Sequence, residues 1–528
     1  MRKTILFTLL SLISGEAALA GALSISNVEL ATVNRKSAAI QLDLSWQCAW
    51  RDEVNHDAVW LFAKYSLDDG ETWRHATLRG SGVNPKDYSA GSDAGLDILV
   101  PEDRKGAYVR NKVEGIRSPV TTGLRLVWDF DADGVSKVAT ARIRVFGLEM
   151  VYIPEGPFVV GEEHARKFFN GYQPTLIESP DATNRYGLAG VGFTGTGTNE
   201  DPYRGRLAGL GRPYTITTSA LTNDYPNGYR AFYLMKQELT RQSFLDFLNT
   251  LSETQRAALL AKFARVDNKG VTHYNFWGTS DEIVVATLEN GLTHLSNAQP
   301  WRAAVLREGT GEPYGYSADE QFLAYLDWAA LRPMTDLEFE KACRGPRRPI
   351  PMEMPWGTPS FATLSKLQNA NTASERAATV YTPVLLGGSY SVRVTQLPQP
   401  NWHACIDAAD AAEAGASYYG ALDMVGNGTE RCVYTASGNP AAGNLHSAAR
   451  YSGLHGDGEL TANGLSNVTD WPYPKQNYYA TGPYTSRGGQ SYEDPGHCTV
   501  SGGGTHLGDN YYGECRHSIR GVRTVTEQ

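Results

Sequence analysis

Leu331-Arg332-Pro333-Met334-Thr335-Asp336-Leu337-Glu338-Phe339-Glu340-Lys341-Ala342-Cys343-Arg344-Gly345 is the stretch from which the fold is best read. Pro333 lacks an N–H and its ring clashes with the preceding turn, so any helix arriving here ends. Thr335 followed three residues later by Glu338 is a capping box that starts a new helix, running through Cys343. Glu338 and Glu340 beside Lys341 read as capping and surface pairing rather than as an acid–base couple. Upstream, Ser317 and Glu320 form a second capping box and open a helix over 318–331. Phe322, Leu323, Tyr325, Leu326, Trp328 and Leu331 fall mostly on one side of it, which is a core face. Thr240 caps Arg241–Leu251, and Ser252 with Gln255 opens Glu253–Phe263.

Few other helices are readable. The chain of 528 residues carries 54 Gly, 28 Tyr and 11 Trp, a mix that favours tight turns and loops with aromatic anchors. From residue 22 to about 147 the texture is strands and turns. Ser24–Leu30, Ala38–Trp46, Ala58–Ser66, Leu124–Phe130 and Val138–Phe146 are rich in β-branched and aromatic residues. Ile40-Gln41-Leu42-Asp43-Leu44-Ser45-Trp46 alternates cleanly and is a half-buried strand. Asp129-Phe130-Asp131-Ala132-Asp133-Gly134 imitates the opening of an EF-hand loop, but Thr140 stands where the bidentate glutamate belongs, so it reads as a hairpin turn. The fold class is therefore α+β: a β-sandwich of fibronectin or immunoglobulin kind over 21–148, then a loop-rich domain over 149–528.

Residues 1–20 have the layout of a signal peptide: Arg2 and Lys3, an apolar stretch from Thr4 to Ile13, and Ala18-Leu19-Ala20 for cleavage. The expected location is secreted or periplasmic, with no transmembrane segment. The formal charge of −9 argues against nucleic acid as a partner. Disulfides are permitted outside the cytoplasm, and six cysteines allow many pairings. No Gly-x-Ser-x-Gly, P-loop or HExxH motif is present.

Five segments of the second domain, in order, resemble the formylglycine-generating enzyme (sulfatase-modifying factor) family. They are Met150–Gly161; Tyr233–Thr240 with Phe244, Phe247 and Leu248; Leu331–Gly345; Tyr419–Glu430; and Arg487–Gly489 with Ile519–Arg523. Residues 162–230 and 346–415 read as insertions. The resemblance implies a fold distantly like C-type lectins and an oxygen-dependent oxidation of a substrate cysteine, with copper held by two thiolates. Counting from Gly489 puts Glu493 at the first thiolate position and Cys498 at the second, and Gln490 where the family has serine. A carboxylate is a hard ligand and a poor partner for Cu(I). Cys515 is the remaining candidate to complete a copper pair with Cys498; a Cys498–Cys515 disulfide is the competing reading. His497, His506 and His517 share this stretch, as ligands or as hydrogen-bonding residues.

The resemblance also implies calcium in the late loop, held by carbonyls of Val425, Gly426 and Gly428 and the carboxylate of Glu430. The competing reading is a Glu430–Arg431 pair that locks the loop. Two functions stay open: an oxidase acting on a cysteine of an exported protein, and a noncatalytic protein that binds glycan or protein, or builds a surface structure, through aromatic loops such as those of Trp402, Tyr418, Tyr419, Trp471, Tyr473, Tyr478, Tyr479 and Tyr484.

Overall fold

The computed structural model describes residues 23–136, 138, 140–162, 174–180, 224–266, 272–274, 283–287, 292–297, 304, 306–307, 319–360, 362–363, 367–368, 376–377, 384–385, 415–426, 428–435, 451–472, 483–489, 498–502 and 516–525. The signal-like segment, Gln490, Glu493, His497, His506, Cys515, Trp402, Tyr473, Tyr478 and Tyr479 lie outside them. The protein is a sheet-rich α+β structure with few helices. Among the described residues no helix is long and apolar enough to cross a membrane.

Its centre is a nine-stranded sheet. The strand Arg142–Ile153 pairs antiparallel with Asp57–Ser66 on one side, Val151 opposite Asp57. On the other side it pairs with Phe232–Met235, Met150 opposite Met235. Phe232–Met235 pairs in turn with Gly521–Thr524, near the C-terminus. The expected division at 148/149 therefore falls in the middle of one strand, and one sheet continues through both parts of the chain.

Alternation explains how this sheet serves two cores. Every residue of Asp57–Ser66 is buried. Successive side chains point to opposite faces, and the strand obeys this rule. Val59, Leu61, Ala63 and Tyr65 enter one core with Ile40, Leu42, Leu44, Leu124, Leu126 and Trp128. These last residues come from a three-stranded sheet of Ser24–Thr32, Ala38–Ser45 and Val120–Trp128. Ala58, Trp60 and Phe62 enter the other core with Phe244, Phe247, Phe322, Tyr325 and Trp328. Trp60 Nε1 also donates to Ala329 O at 3.0 Å. Each such buried aromatic stabilises the union by about 1.5–3 kcal/mol.

The helices follow their caps. Among the described residues the first two are Arg241–Leu248, capped by Thr240, and Glu253–Leu260, with the Ser252/Gln255 capping box formed and a 3₁₀ turn over Ala261–Phe263. Asp319–Trp328 is shorter than its apolar pattern implies: Ala330 takes φ 55° and the chain turns into the short strand Arg332–Pro333. Asp336–Arg344 starts on Thr335 as expected. The Asp131–Gly134 turn corrects the hairpin reading. Val120–Trp128 pairs with Ala38–Ser45 and Arg142–Ile153 with Asp57–Ser66, so the turn crosses between two sheets. Its carboxylates have protein partners: Asp129 pairs with Arg104, Asp131 with Lys36, and Asp133 accepts from Trp128 Nε1 and Thr77 N.

Candidate functional site

The helix Asp336–Arg344 organises the region where the resemblance places chemistry. Thr335 Oγ1 accepts from Glu338 N at 3.2 Å and Glu338 Oε2 accepts from Thr335 N at 3.0 Å, which closes the capping box. Surface pairing fails, because all nine residues of this helix are buried. Glu340 accepts from Gly161 N, Ser501 Oγ, Arg344 and Arg487. Lys341 Nζ donates to Gly228 O and Tyr229 O, and burial pushes its ammonium down to about 7. Glu338 holds Arg332 bidentately, at 2.9 and 2.6 Å. An amphipathic reading presumes a wet face; here neighbouring segments cover every side.

Glu430 lies in the strand Thr429–Val433, paired with Tyr484–Arg487. It does not pair with Arg431. Neighbouring strand residues face opposite ways. Arg431 reaches Asp319 at 2.7 and 2.8 Å, whereas Glu430 Oε1 accepts from Arg520 Nε at 2.5 Å. The rest of the Arg520 fork donates to carbonyls: Nη1 to Lys236 O at 2.9 Å and Met235 O at 3.3 Å, Nη2 to Asp423 O at 2.7 Å. Burial raises the Glu430 carboxyl to about 7 against the opposing pull of Arg520.

This geometry tests the calcium expectation. Glu430 Oε2 and Met424 O converge on the place a Cβ of Gly488 would fill, at 2.8 and 2.6 Å. Calcium takes six to eight oxygens, and two are brought to this point by the described residues. Gly426 N donates to Gly488 O and Gly428 N to Glu238 Oε1, fixing the loop by its amides, and the Val425 side chain turns into an apolar cluster. A guanidinium already sits on the carboxylate. Arg520 thus supplies positive charge at Glu430 Oε1, while the buried Glu430 Oε2 accepts no hydrogen bond from the described residues.

Cys498 is fully buried with Met354, Trp356 and Val425. Its Sγ lies 2.5 Å from where a Cβ on Gly489 would sit, and Gly489 has φ +66°, so only glycine fits opposite the sulfur. Cys498 is a thiol in this structure, and Cys515, its expected partner, lies outside the described residues. The following backbone is tied down instead: Val500 N donates to Glu353 O, and Ser501 Oγ is held between Arg344 and Glu340. Cys343 and Cys432 are buried thiols in a different cluster, both pushed well above the usual thiol range by burial. Cys48 is disulfide-bonded. His517 Nδ1 shares a 2.8 Å hydrogen bond with Thr429 Oγ1, matching the hydrogen-bonding reading.

The sequence reading missed the arginines. Arg332, Arg344, Arg487, Arg520 and Arg523 are among the largest fully buried side chains. Arg487 spans Asp336 and Glu340, and Arg523 pairs with Asp103 from the N-terminal part. Breaking the fully buried Arg487 pairing costs about 3–5 kcal/mol, because the surviving charge has no water. The Arg487-Gly488-Gly489 and Ile519–Arg523 segments were visible as strands, and their lack of solvent was not.

Of the aromatic loop residues, Trp471 Nε1 donates to Leu454 O and Tyr484 OH to Pro472 O, which is internal packing. Tyr418 differs. The Arg347 guanidinium lies 4.7 Å over its ring, and Tyr418 N donates to Cys343 O. Beside it, Trp50 packs on Gly420 and Asn55 Nδ2 donates to Tyr419 O. Trp50 pairs with Ile116 in a two-stranded ribbon in which Ile116 is 44% exposed. Both parts of the chain thus contribute to one aromatic and apolar seam. No family model matches this sequence, and no curated protein matches it.

Proposed function

We propose that the chain is an exported, noncatalytic binding protein, built as an N-terminal β-sandwich joined to a C-type-lectin-like body of formylglycine-generating-enzyme kind. One observation carries this reading: Cys498, the residue on which copper chemistry depends, is sealed among Met354, Trp356 and Val425 and backed by Gly489. A thiolate oxidase needs two thiolates at one ion and a route for substrate. Among the described residues the Cys498 cluster holds no second cysteine, and its other sulfur, in Met354, is a thioether.

The Trp50–Tyr418–Arg347 seam is the surface we assign to binding. Aromatic faces beside an arginine and main-chain groups suit a glycan or an exported protein. The test presents the mature chain, with Cu(I) and oxygen, to a cysteine peptide, and in parallel to immobilised glycans and exported proteins. The reading expects no aldehyde, and binding that Tyr418→Ala weakens at least tenfold. Aldehyde formation lost in Cys498→Ser would overturn it.

A further inference from the structure

Asp57, Glu149 and Lys236 stand on three adjacent strands or their ends, on one face of the central sheet. Asp57 lies opposite Val151, and Glu149 is two residues from Val151, so both point to the same face. Met150 pairs with Met235, and Lys236 N donates to Glu149 O at 2.9 Å, which sets Lys236 beside Glu149. Lys236 Nζ is 2.9 Å from Asp57 Oδ2 and 3.4 Å from Glu149 Oε2. The side chains are 3%, 1% and 9% exposed for Lys236, Asp57 and Glu149. Val151 and Leu234 line the same face.

We infer that Lys236 and Asp57 condense into an intramolecular amide, with Glu149 as the proton carrier, so that the two parts of the chain become covalently joined. The amine Nζ attacks Cγ of Asp57 in its acid form. A C–N bond forms, a C–O bond breaks, and the departing oxygen leaves as water with protons passed through Glu149. Neither oxidant nor other co-reactant is needed.

The placement favours this in three ways. Both reacting groups are fixed by other bonds: Asp57 Oδ1 accepts from Trp50 N at 2.9 Å, and Lys236 O accepts from Leu422 N and Arg520 Nη1. Holding reactants in contact removes most of the entropic barrier. Two carboxylates and one ammonium leave an unbalanced negative charge in a dry site, and burial raises both carboxyl groups, so a proton taken up resides on them. The two carboxylates in turn hold Lys236 protonated, so the reaction draws on the small population in which that proton has crossed to Asp57. The product replaces two buried charges by a neutral amide, which relieves their desolvation.

Tryptic digestion of the reduced mature protein reads the outcome. The proposal expects a branched species joining residues 52–64 to residues 231–241, one water lighter than the sum, with cleavage after Lys236 blocked. Asp57→Ala and Glu149→Gln should each return linear peptides, including 231–236. Recovery of linear 52–64 and 231–236 from the wild-type protein would overturn the proposal and leave a buried ion pair; the wild-type digest decides even where a variant fails to fold.

Discussion

Arg520 Nε lies 2.5 Å from Glu430 Oε1, ninety residues away in sequence, and both side chains are fully buried. The pair closes the loop 423–430 against the end of the strand Phe232–Met235, because the same guanidinium also holds Asp423 O and Lys236 O. One fixed guanidinium thus holds a carboxylate and two carbonyls from three segments of the chain together.

Arg520→Leu should therefore destabilise the protein by about 3–5 kcal/mol, since Glu430 stays behind as an uncompensated buried acid. Adding Glu430→Gln should recover part of that loss. Urea denaturation of the two variants checks this. A calcium chelator should leave the wild-type midpoint unmoved, and a chelator-induced fall would restore calcium to the loop.

Gly488→Ala places a methyl on the two oxygens of Met424 and Glu430, at a residue with φ +81°. Backbone strain alone costs roughly 1–3 kcal/mol, and the overlap adds to it. A melting temperature within error of wild type would show that this cradle is looser than described.

Acid should weaken the fold through His56. Burial, with Arg110 and Arg51 nearby, lowers its pKa to about 3, and its Nε2 meets Tyr233 OH at 2.8 Å. The folded form stays neutral while the unfolded form takes up a proton near 6.5. Stability is thus full above that value and falls as pH drops towards 3, by about 1.4 kcal/mol per pH unit. His455, lowered to about 4, acts in the same direction, and Asp327, raised to about 6 by burial, acts in the opposite one. His56→Gln should flatten the slope of unfolding free energy between pH 6 and 4; an unchanged slope would contradict the assignment.

Cys343, Cys432 and Cys498 should resist alkylation in the native state and all react on unfolding, because each is buried. Mass spectrometry after native iodoacetamide treatment measures this. Rapid native labelling at Cys498 would mean that its pocket opens to solvent.

What was legible in the sequence was local. Thr335 with Glu338 and Ser252 with Gln255 close their boxes within one turn, so the helix starts are where the sequence puts them. The strand Ala38–Ser45 alternates as written. One further signal was available: adjacent Glu430 and Arg431 in a strand cannot share a face, which argues against their pairing. The rest depended on distance in sequence. That Glu340 and Lys341 are dry follows from segments near Tyr229, Arg487 and Ser501 closing over the helix. That a single sheet runs through residue 148 follows from Asp57–Ser66 and Phe232–Met235 flanking the same strand. No window of local pattern contains those pairings.

The most direct measurement is the copper stoichiometry of the mature protein after anaerobic dialysis against a buffered Cu(I) source. With Cys498 fully buried and no second cysteine in its cluster among the described residues, less than a tenth of an equivalent should remain on the wild-type chain, and Cys498→Ser should retain the same trace. One tightly held equivalent in the wild type, lost in that variant, would contradict the account and put redox chemistry at this cysteine.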